Sequence, residues 1–258
     1  MEDVTTKVLQ EYHTNKLERG LKPTSIVSTS KQIKAFFNWC LSEGYVKENP
    51  MDKVQLPRAR KQILEAFTSE EVYRLIECFG YKNYIEARNK LIIAIMADTG
   101  VRVTELTNIK TKHVGLDKIY ILGKGRKERY LSISPVLKRI MIRYERLKSQ
   151  YLEDKMVKDD YYILNYKGHQ MSNTGLWLVC KEAEKRTGIK DVHPHKFRHY
   201  FALTSLKVGK IDIHSLSLLL GHSDISTTEI YLRTFRNDDL LDQAKNSSPL
   251  MNLHKDKK

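Results

Sequence analysis

The spacing of apolar residues divides the chain into a short helical segment and a longer, more varied one. In residues 1–57, apolar positions recur every three or four residues in two runs, the period of helices with one buried face. Arg19-Gly20 is a helix stop, and Pro23 suits the first turn of the next helix. We expect the buried stripe of that second helix to comprise Ile26, Ile33, Phe36, Phe37 and Leu41. We therefore predict a small helical module at 1–57.

A basic connector follows, and then a larger domain that we place at residues 67–235. The connector, predicted as a linker at 58–66, includes Arg58, Arg60 and Lys61. Thr68 and Glu71 have the spacing of a capping box, with Phe67 placed to pack on Val72. The run Leu91–Ala97 is apolar on every side, which predicts a central, fully surrounded helix.

The rest of this domain alternates further helices with a few short extended runs. Lys118–Leu122 and Arg129–Ile133 are β-rich and flank a glycine- and lysine-rich turn, which predicts a hairpin. Pro135 and Ser172 begin two more helices, the second with Trp177 expected inward, and Tyr161–Leu164 is predicted to be a small strand. The predicted fold class is mainly α with a small antiparallel β-sheet.

The amino-acid composition indicates which class of molecule this protein binds. Lys and Arg number 45 against 31 Asp and Glu, a formal net charge of +14, and the pI is about 9.5. This excess favours a polyanion such as nucleic acid, although a merely soluble basic protein would also show it. Leu91–Ala97 is the longest apolar run, well short of the roughly 18 residues of a membrane span, and no secretion signal is present. The scattered Cys40, Cys78 and Cys180 favour reduced core thiols, so we expect a cytoplasmic, DNA-associated protein.

Chemistry concentrates in the stretch from Val192 to Arg233. It holds four side chains of types that can handle a phosphodiester, and these are His195, Arg198, His222 and Tyr231. His195 and Arg198 are three apart in a helical pattern, so they share one face. Upstream, Arg102 directly follows the predicted central helix, and Glu105 is one turn further on, where it can fix a guanidinium for bidentate phosphate binding.

These residues are part of five sequence motifs. Through these motifs the chain resembles the tyrosine recombinases, the family of phage integrases and Xer-type resolvases. The motifs occur in the family's order over roughly Phe67 to Thr234. They are Thr99-Gly100-Val101-Arg102-x-x-Glu105, Gly123-Lys124-Gly125-x-Lys127-x-Arg129, His195-x-x-Arg198, Leu220-Gly221-His222-Ser223 and Thr227-Thr228-x-x-Tyr231. The resemblance implies a tyrosine-recombinase catalytic domain preceded by a helical DNA core-binding module.

The resemblance also implies a role for each motif residue. The catalytic set is Arg102, Lys124, His195, Arg198, His222 and the nucleophile Tyr231, with Glu105 orienting Arg102. Lys127 and Arg129 are expected to contact the DNA backbone, as are the linker's basic residues, and Lys127 is the rival for the lysine role. The two catalytic arginines would hold the non-bridging phosphate oxygens while Tyr231 attacks, His195 acts as base and Lys124 protonates the leaving 5′-oxygen.

The expected product is a 3′-phosphotyrosyl enzyme, and resealing needs neither ATP nor a metal or other cofactor. The family further implies double-stranded DNA as partner, a homotetramer on two DNA sites, and DNA-bending accessory proteins. Residues 236–258 would form a tail that docks on a neighbouring subunit through Leu240, Leu241, Leu250 and Leu253. The chain departs from the family in having two long N-terminal helices where four or more are common, so it is either a compact member or part of a longer protein.

Three alternatives are weighed against this prediction. His195 and His199 stand at the i, i+4 spacing of a zinc-binding helix, but no Glu lies between them and the neighbouring Lys196 and Arg198 oppose a cation. A non-catalytic DNA-binding protein would share the charge but not the whole set of catalytic residue types. A type IB-like topoisomerase would share the chemistry, but the N-terminal module and the Leu-Gly-His-Ser motif favour recombination. Tyr200 is the nearest alternative nucleophile.

Overall fold

The computed structural model describes residues 3–57, 65–123, 128–153, 157, 159–208, 211–222 and 224–232. The chain divides into two compact units, Met1–Gln62 and Ile63–Lys258. Several predicted features lie outside the described residues, namely Lys124, Lys127, the linker residues Arg58, Arg60 and Lys61, and the tail at 236–258.

The first unit contains the two predicted helices, α1 (Thr6–Glu18) and α2 (Pro23–Ser42). The hydroxyl of Thr5 accepts from the Val8 N–H and begins α1. Leu9 of α1 and Phe37 of α2 pack with Met51, which lies on the segment that returns after α2. Because two helices alone would leave one face of this core open, the returning segment supplies part of the burial that a small unit needs.

The second unit is built around one buried helix. Its elements are α3 (Ser69–Glu77), α4 (Tyr84–Thr99), α5 (Val103–Thr107), a 3₁₀ turn (Thr111–His113), β1 (Lys118–Leu122), β2 (Glu128–Ser132), α6 (Pro135–Leu152), α7 (Asn173–Thr187), α8 (Pro194–Lys207), α9 (Ile213–Leu220) and α10 (Ser226–Glu229). Every residue of the predicted run Leu91–Ala97 is buried, because α4 packs against α3, α6, α7 and α8. Helix α4 therefore forms the centre of the unit.

The predicted fold class is confirmed. The described elements are mostly helical, and β1 and β2 pair antiparallel with Tyr120 opposite Tyr130. The capping box at the start of α3 is also present, with the Thr68 hydroxyl accepting from the Glu71 N–H at 3.1 Å and the Glu71 carboxylate accepting from the Thr68 N–H at 2.8 Å. Among the described helices, none is long and apolar enough to cross a bilayer.

Two sequence predictions in this unit were wrong. Tyr161–Leu164 makes single bridges at its two ends, to Lys110 and Gln170, and forms no strand, since the chain turns back directly after Leu164. Trp177 is 46% exposed, because the buried stripe of α7 runs through Leu176, Cys180 and Ala183 and leaves the indole outside it. The helix itself begins one residue after Ser172, whose hydroxyl caps it.

A second, smaller cluster connects α8, α9 and the segment after α10. Its buried members are Ala202, Leu203, Leu206, Leu216, Leu220 and Tyr231. Gly100, which ends α4, lies under this cluster in the left-handed conformation at φ 60°. The end of the central helix and the candidate nucleophile therefore border the same packed region.

Gly100→Ala tests how tightly α4 is held under α8 and α9. A Cβ on Gly100 would come within 2.6 Å of Phe201 Cδ1 and 3.1 Å of Leu220 Cδ2. We expect a loss of about 1–2 kcal/mol from the left-handed backbone and a further loss of about 1–3 kcal/mol from overpacking. Urea unfolding measures the total.

Gly188→Ala is the matched control, because Gly188 also ends a helix with φ 74° but a Cβ added there would meet no atom within 4 Å. It should lose only the backbone contribution, about 1–2 kcal/mol. Equal losses for the two variants would contradict close packing at Gly100.

Candidate active site

Three arginines from different elements hold the end of α9. Its last carbonyl oxygens, at Leu219, Leu220 and Gly221, each accept a hydrogen bond from a different guanidinium. The donors are Arg129 Nε at 2.9 Å, Arg198 Nη2 at 2.7 Å and Arg102 Nη2 at 2.8 Å, in that order. The carbonyl groups at a helix end lack partners within the helix and carry partial negative charge, so they bind cations well.

Glu105 ties two of these arginines together. Its carboxylate accepts from Arg102 Nη1 at 3.0 Å and from the Arg102 backbone N–H at 3.0 Å. Arg129 donates to both carboxylate oxygens, at 2.8 and 2.7 Å. Although burial alone would raise it, the hydrogen bonds from Arg129 and Arg102 and their charges lower the pKa of Glu105 to about 2. Glu105 is thus placed to fix the plane of Arg102, as the sequence predicted, and it fixes Arg129 as well.

The expected role of Arg129 in contacting the DNA backbone needs correction. Each of its three guanidinium nitrogens donates to a protein oxygen, either of Glu105 or of Leu219. Its side chain is only 11% exposed. Arg129 therefore lies inside the site and supports Glu105 and α9, because a buried guanidinium bonded in a bidentate manner to a carboxylate is not free to follow a DNA strand.

Arg198 is buried on α8 without a carboxylate partner in the described part of the chain. Its Nη1 donates to the Gly100 carbonyl at 2.7 Å, which links α8 to the end of α4. Burial and the charge of Arg102 lower the pKa of Arg198 to about 10, so the group stays charged at neutral pH. Among the described groups here, three guanidiniums face the single carboxylate of Glu105. The site therefore carries an excess of two positive charges.

This excess makes the site suited to an anion. A buried charge without a counterion is costly, and the negative charge of a phosphodiester would offset part of this excess. Arg102 and Arg198 each use two of their five N–H groups in the bonds described, so further N–H groups remain for phosphate oxygens. The side chain of Arg102 is also 35% exposed, which opens the site to a ligand.

Three histidines near the arginines have lowered pKa values. Burial, with repulsion from neighbouring positive groups, lowers the pKa of His195, and it lowers the pKa of both His199 and His222 to about 4. These imidazoles are therefore neutral at neutral pH. His222 Nδ1 lies 2.7 Å from Oγ1 of the fully buried Thr228. When Thr228 donates this bond, the proton of His222 is on Nε2, where it can serve a phosphate oxygen.

Tyr231 is supplied by the same protomer as the arginines and histidines, and its side chain is buried, with 2% exposure. Burial raises the pKa of its phenol, while the charges of Arg198 and Arg102 lower it. Helix α10 ends at Glu229, and Tyr231 lies just beyond it. The carboxylate of Asp224 accepts from the Ser226 N–H at 2.9 Å and starts this turn.

One group in hydrogen-bond contact with the phenol is a residue that the sequence-based prediction missed. His199 Nδ1 lies 3.1 Å from Tyr231 Oη, and the two rings are edge to face. His195, predicted to be the base, has Arg198 and Arg102 among the charges that act on it. The signal in the sequence is the i, i+4 spacing of His195 and His199 on α8, which also matches a zinc-binding helix. In the described ranges, no three His, Cys, Asp or Glu side chains form a group suited to a metal.

Glu105→Gln tests the arginine cluster through its effect on stability. Because the pKa of Glu105 falls from 4.5 to about 2 on folding, its charge stabilises the fold above pH 4.5 and that contribution is lost as the pH falls toward 2. At 1.36 kcal/mol per pKa unit, this contribution is roughly 3 kcal/mol. We expect the free energy of unfolding of wild type to exceed that of the variant clearly at pH 7 and less at pH 3.5, measured in urea.

Glu70→Gln, at an exposed glutamate in the first turn of α3, is the control and should show a small and nearly constant difference from wild type. A gap between wild type and Glu105→Gln that stays the same at both pH values would contradict the buried carboxylate.

The chain is similar to several known proteins. The phage integrase family matches residues 65–237. The tyrosine recombinase XerC of Staphylococcus epidermidis is 32% identical over 214 residues, which are 82% of this chain and 71% of the relative.

Among solved structures, XerH recombinase in a post-cleavage complex with palindromic difH substrate has a TM-score of 0.77 at 20% identity, covering 97% of this chain and 74% of that one. A lambda integrase tetramer bound to a Holliday junction has a TM-score of 0.66 at 17% identity, covering 88% and 66%. These likenesses show the fold. The family model matches more than half of the chain, and the XerC relative is 32% identical. The chain therefore belongs to the phage integrase family, the tyrosine recombinases that its motifs indicated.

Proposed function

We propose that this chain is a site-specific DNA recombinase that cleaves and rejoins DNA through a 3′-phosphotyrosyl intermediate. One observation carries the proposal: a buried phenol and a buried excess of positive charge occur together, in one chain, at the end of α9. A phosphodiester needs both, because its negative charge must be neutralised before a nucleophile can attack phosphorus.

The arginines supply the electrostatic part of this reaction. Arg102 and Arg198 would each hold a non-bridging oxygen of the scissile phosphate, with His222 donating a third bond through Nε2. Glu105, the carbonyls of α9 and the Gly100 carbonyl hold the guanidiniums in place before DNA binds. Donors fixed in advance stabilise the charge of the transition state without reorganising during the reaction.

The bond changes follow from this placement. Tyr231 Oη attacks phosphorus, the P–O5′ bond breaks, and the 5′-oxygen leaves with a proton that the family resemblance assigns to Lys124. His195, on the same face of α8 as Arg198, can exchange a proton at the phosphate. Because the phosphotyrosyl ester keeps the free energy of the broken diester, a 5′-hydroxyl can attack it and reseal the strand.

The DNA and assembly roles extend the same proposal. We assign residues 1–57 to core binding, 58–66 to a basic linker, 67–235 to catalysis and 236–258 to a tail that docks on a neighbouring subunit. A tetramer on two DNA sites, with accessory proteins that bend DNA, would then exchange strands. The support is the chain's net charge of +14 and its likeness in fold to lambda integrase, which was solved as a tetramer on a Holliday junction.

Tyr231→Phe tests the nucleophile. Cleavage sites are first mapped with wild type on the DNA that flanks the gene, and a nicked duplex of that sequence then traps the covalent intermediate. We expect wild type to form an adduct and Tyr231→Phe to bind the DNA without forming one, because the attacking oxygen is missing. Denaturing gels detect the adduct, and peptide mapping locates it.

Tyr200→Phe is the matched control, because it removes the hydroxyl of the rival tyrosine on α8, which lies 3.4 Å from Ser69 Oγ. It should form the adduct as wild type does. An adduct that persists in Tyr231→Phe would contradict the assignment, and a wild type that binds but never cleaves would indicate a non-catalytic DNA-binding protein.

Thr228→Val tests the orientation of His222. The valine keeps the shape of the buried side chain but removes the partner of His222 Nδ1, so the tautomer and the ring plane are no longer fixed. We expect cleavage to slow roughly tenfold, the effect of about 1.4 kcal/mol in the transition state, with little change in DNA binding. Thr227→Val, at an exposed neighbour, should cleave normally. Equal rates for the two variants would show that Thr228 does not act through His222.

A further inference from the structure

Helix α8 contacts the candidate nucleophile Tyr231 through an imidazole, a group that can accept a proton. His199 Nδ1 lies 3.1 Å from Tyr231 Oη, within hydrogen-bond distance. Tyr231 is packed in the cluster of α8 and α9, so the phenol is held from the apolar side as well. Arg198 also acts on this oxygen, by its charge and by a hydrogen bond that favours the ionised phenol, but a guanidinium has no lone pair with which to accept a proton. The imidazole of His199 is therefore the contact of Tyr231 Oη that can act as a base.

The surroundings keep this imidazole neutral. Its burial and the charged or titratable groups His195, His193 and Arg198, which lie on α8 or at its N-cap, lower its pKa to about 4. From the other segments, Tyr231 faces it directly, and Arg102 acts on that phenol. A neutral imidazole with its proton on Nε2 presents the lone pair of Nδ1 to the phenol and accepts its hydrogen bond.

We propose that His199 positions the Tyr231 hydroxyl and accepts its proton during attack on DNA. This inference rests on the proposed recombinase function and adds a residue to it. The proton moves from Oη to Nδ1 while the Oη–P bond forms and the P–O5′ bond breaks, and the leaving 5′-oxygen takes its proton from a separate acid. On resealing, His199 returns the proton to the phenolate oxygen as the P–Oη bond breaks.

The arrangement also couples proton acceptance to DNA binding. The charge of Arg198 opposes protonation of His199 and favours ionisation of Tyr231. A phosphate bound at Arg198 cancels that charge and makes the imidazole a better base. His199 thus becomes a competent base when the substrate is present, while the phenol stays neutral and buried in the free protein.

Two variants of His199 separate positioning from proton transfer. The side-chain amide of His199→Asn can occupy the place of Nδ1 and hold the phenol but is not a base, whereas His199→Phe removes the hydrogen bond as well. We expect His199→Asn to cleave about 10²–10⁴-fold more slowly than wild type, and His199→Phe to cleave at least as slowly. Adduct formation is measured in single turnover between pH 5 and 9 on the nicked duplex.

Two further readouts distinguish proton acceptance from a structural effect. The fall of the wild-type rate toward acid pH, which protonation of the base causes, should be absent in His199→Asn. A duplex with a sulfur in place of the bridging 5′-oxygen has a leaving group that needs no proton, so it should rescue a missing acid but not His199→Asn. DNA affinity and melting temperature should stay near wild type, as they should for His214→Asn, an exposed histidine on α9 that also serves as the activity control.

The outcomes that overturn the inference are distinct from failure of the proposed function. If wild type forms no adduct, or forms it away from Tyr231, the recombinase proposal itself fails. If wild type forms the Tyr231 adduct while His199→Asn cleaves at the wild-type rate, or is rescued by the sulfur substrate, His199 is not the proton acceptor. A wild-type rate in His199→Phe would show that the contact has no part in catalysis.

Discussion

The site depends on the hydrogen bonds between three guanidinium groups and the last carbonyls of α9. Arg102 lies between α4 and α5, Arg129 on β2 and Arg198 on α8, so one helix end joins three parts of the chain that are remote in sequence. Burying these cations would be costly without oxygen partners, and Glu105 together with the helix end supplies them. The same bonds fix the planes of the guanidiniums, which a phosphate can then meet without rearrangement.

The excess of positive charge makes this structural junction suited to bind a phosphodiester. Glu105 compensates one of the three guanidinium charges, and the histidines around the arginines are neutral because burial and repulsion disfavour further charge. Tyr231, the proposed nucleophile, is packed in an apolar cluster, where it contacts the imidazole of His199 and where the charges of Arg198 and Arg102 lower its pKa. Stability and reactivity therefore have a common origin, since the groups that would bind phosphate also hold α4, α8 and α9 together.

Local patterns predicted much of the fold correctly. The capping box at Thr68, the fully buried run Leu91–Ala97 and the β1–β2 hairpin depend on interactions between residues close in sequence, or on how completely one helix is surrounded. Trp177 was placed wrongly because an amphipathic helix allows several choices of buried stripe, and only the packing partners of α7 select one. Arg129 was misplaced for a related reason, because a cation beside a lysine-rich turn has the same local sequence whether it faces DNA or a buried carboxylate.

The sequence by itself determined the family and the fold class, because these follow from residue types at fixed spacings, and it supplied the candidate residues for phosphodiester chemistry. Only the tertiary structure decided which of them meet. His195 and His199 share a face of α8, and their spacing alone could not distinguish the partner of Tyr231. The partner depends on where the segment after α10 packs. That position is set by packing of Tyr231 with Leu203, Leu216 and Leu220, which lie on other elements of the chain.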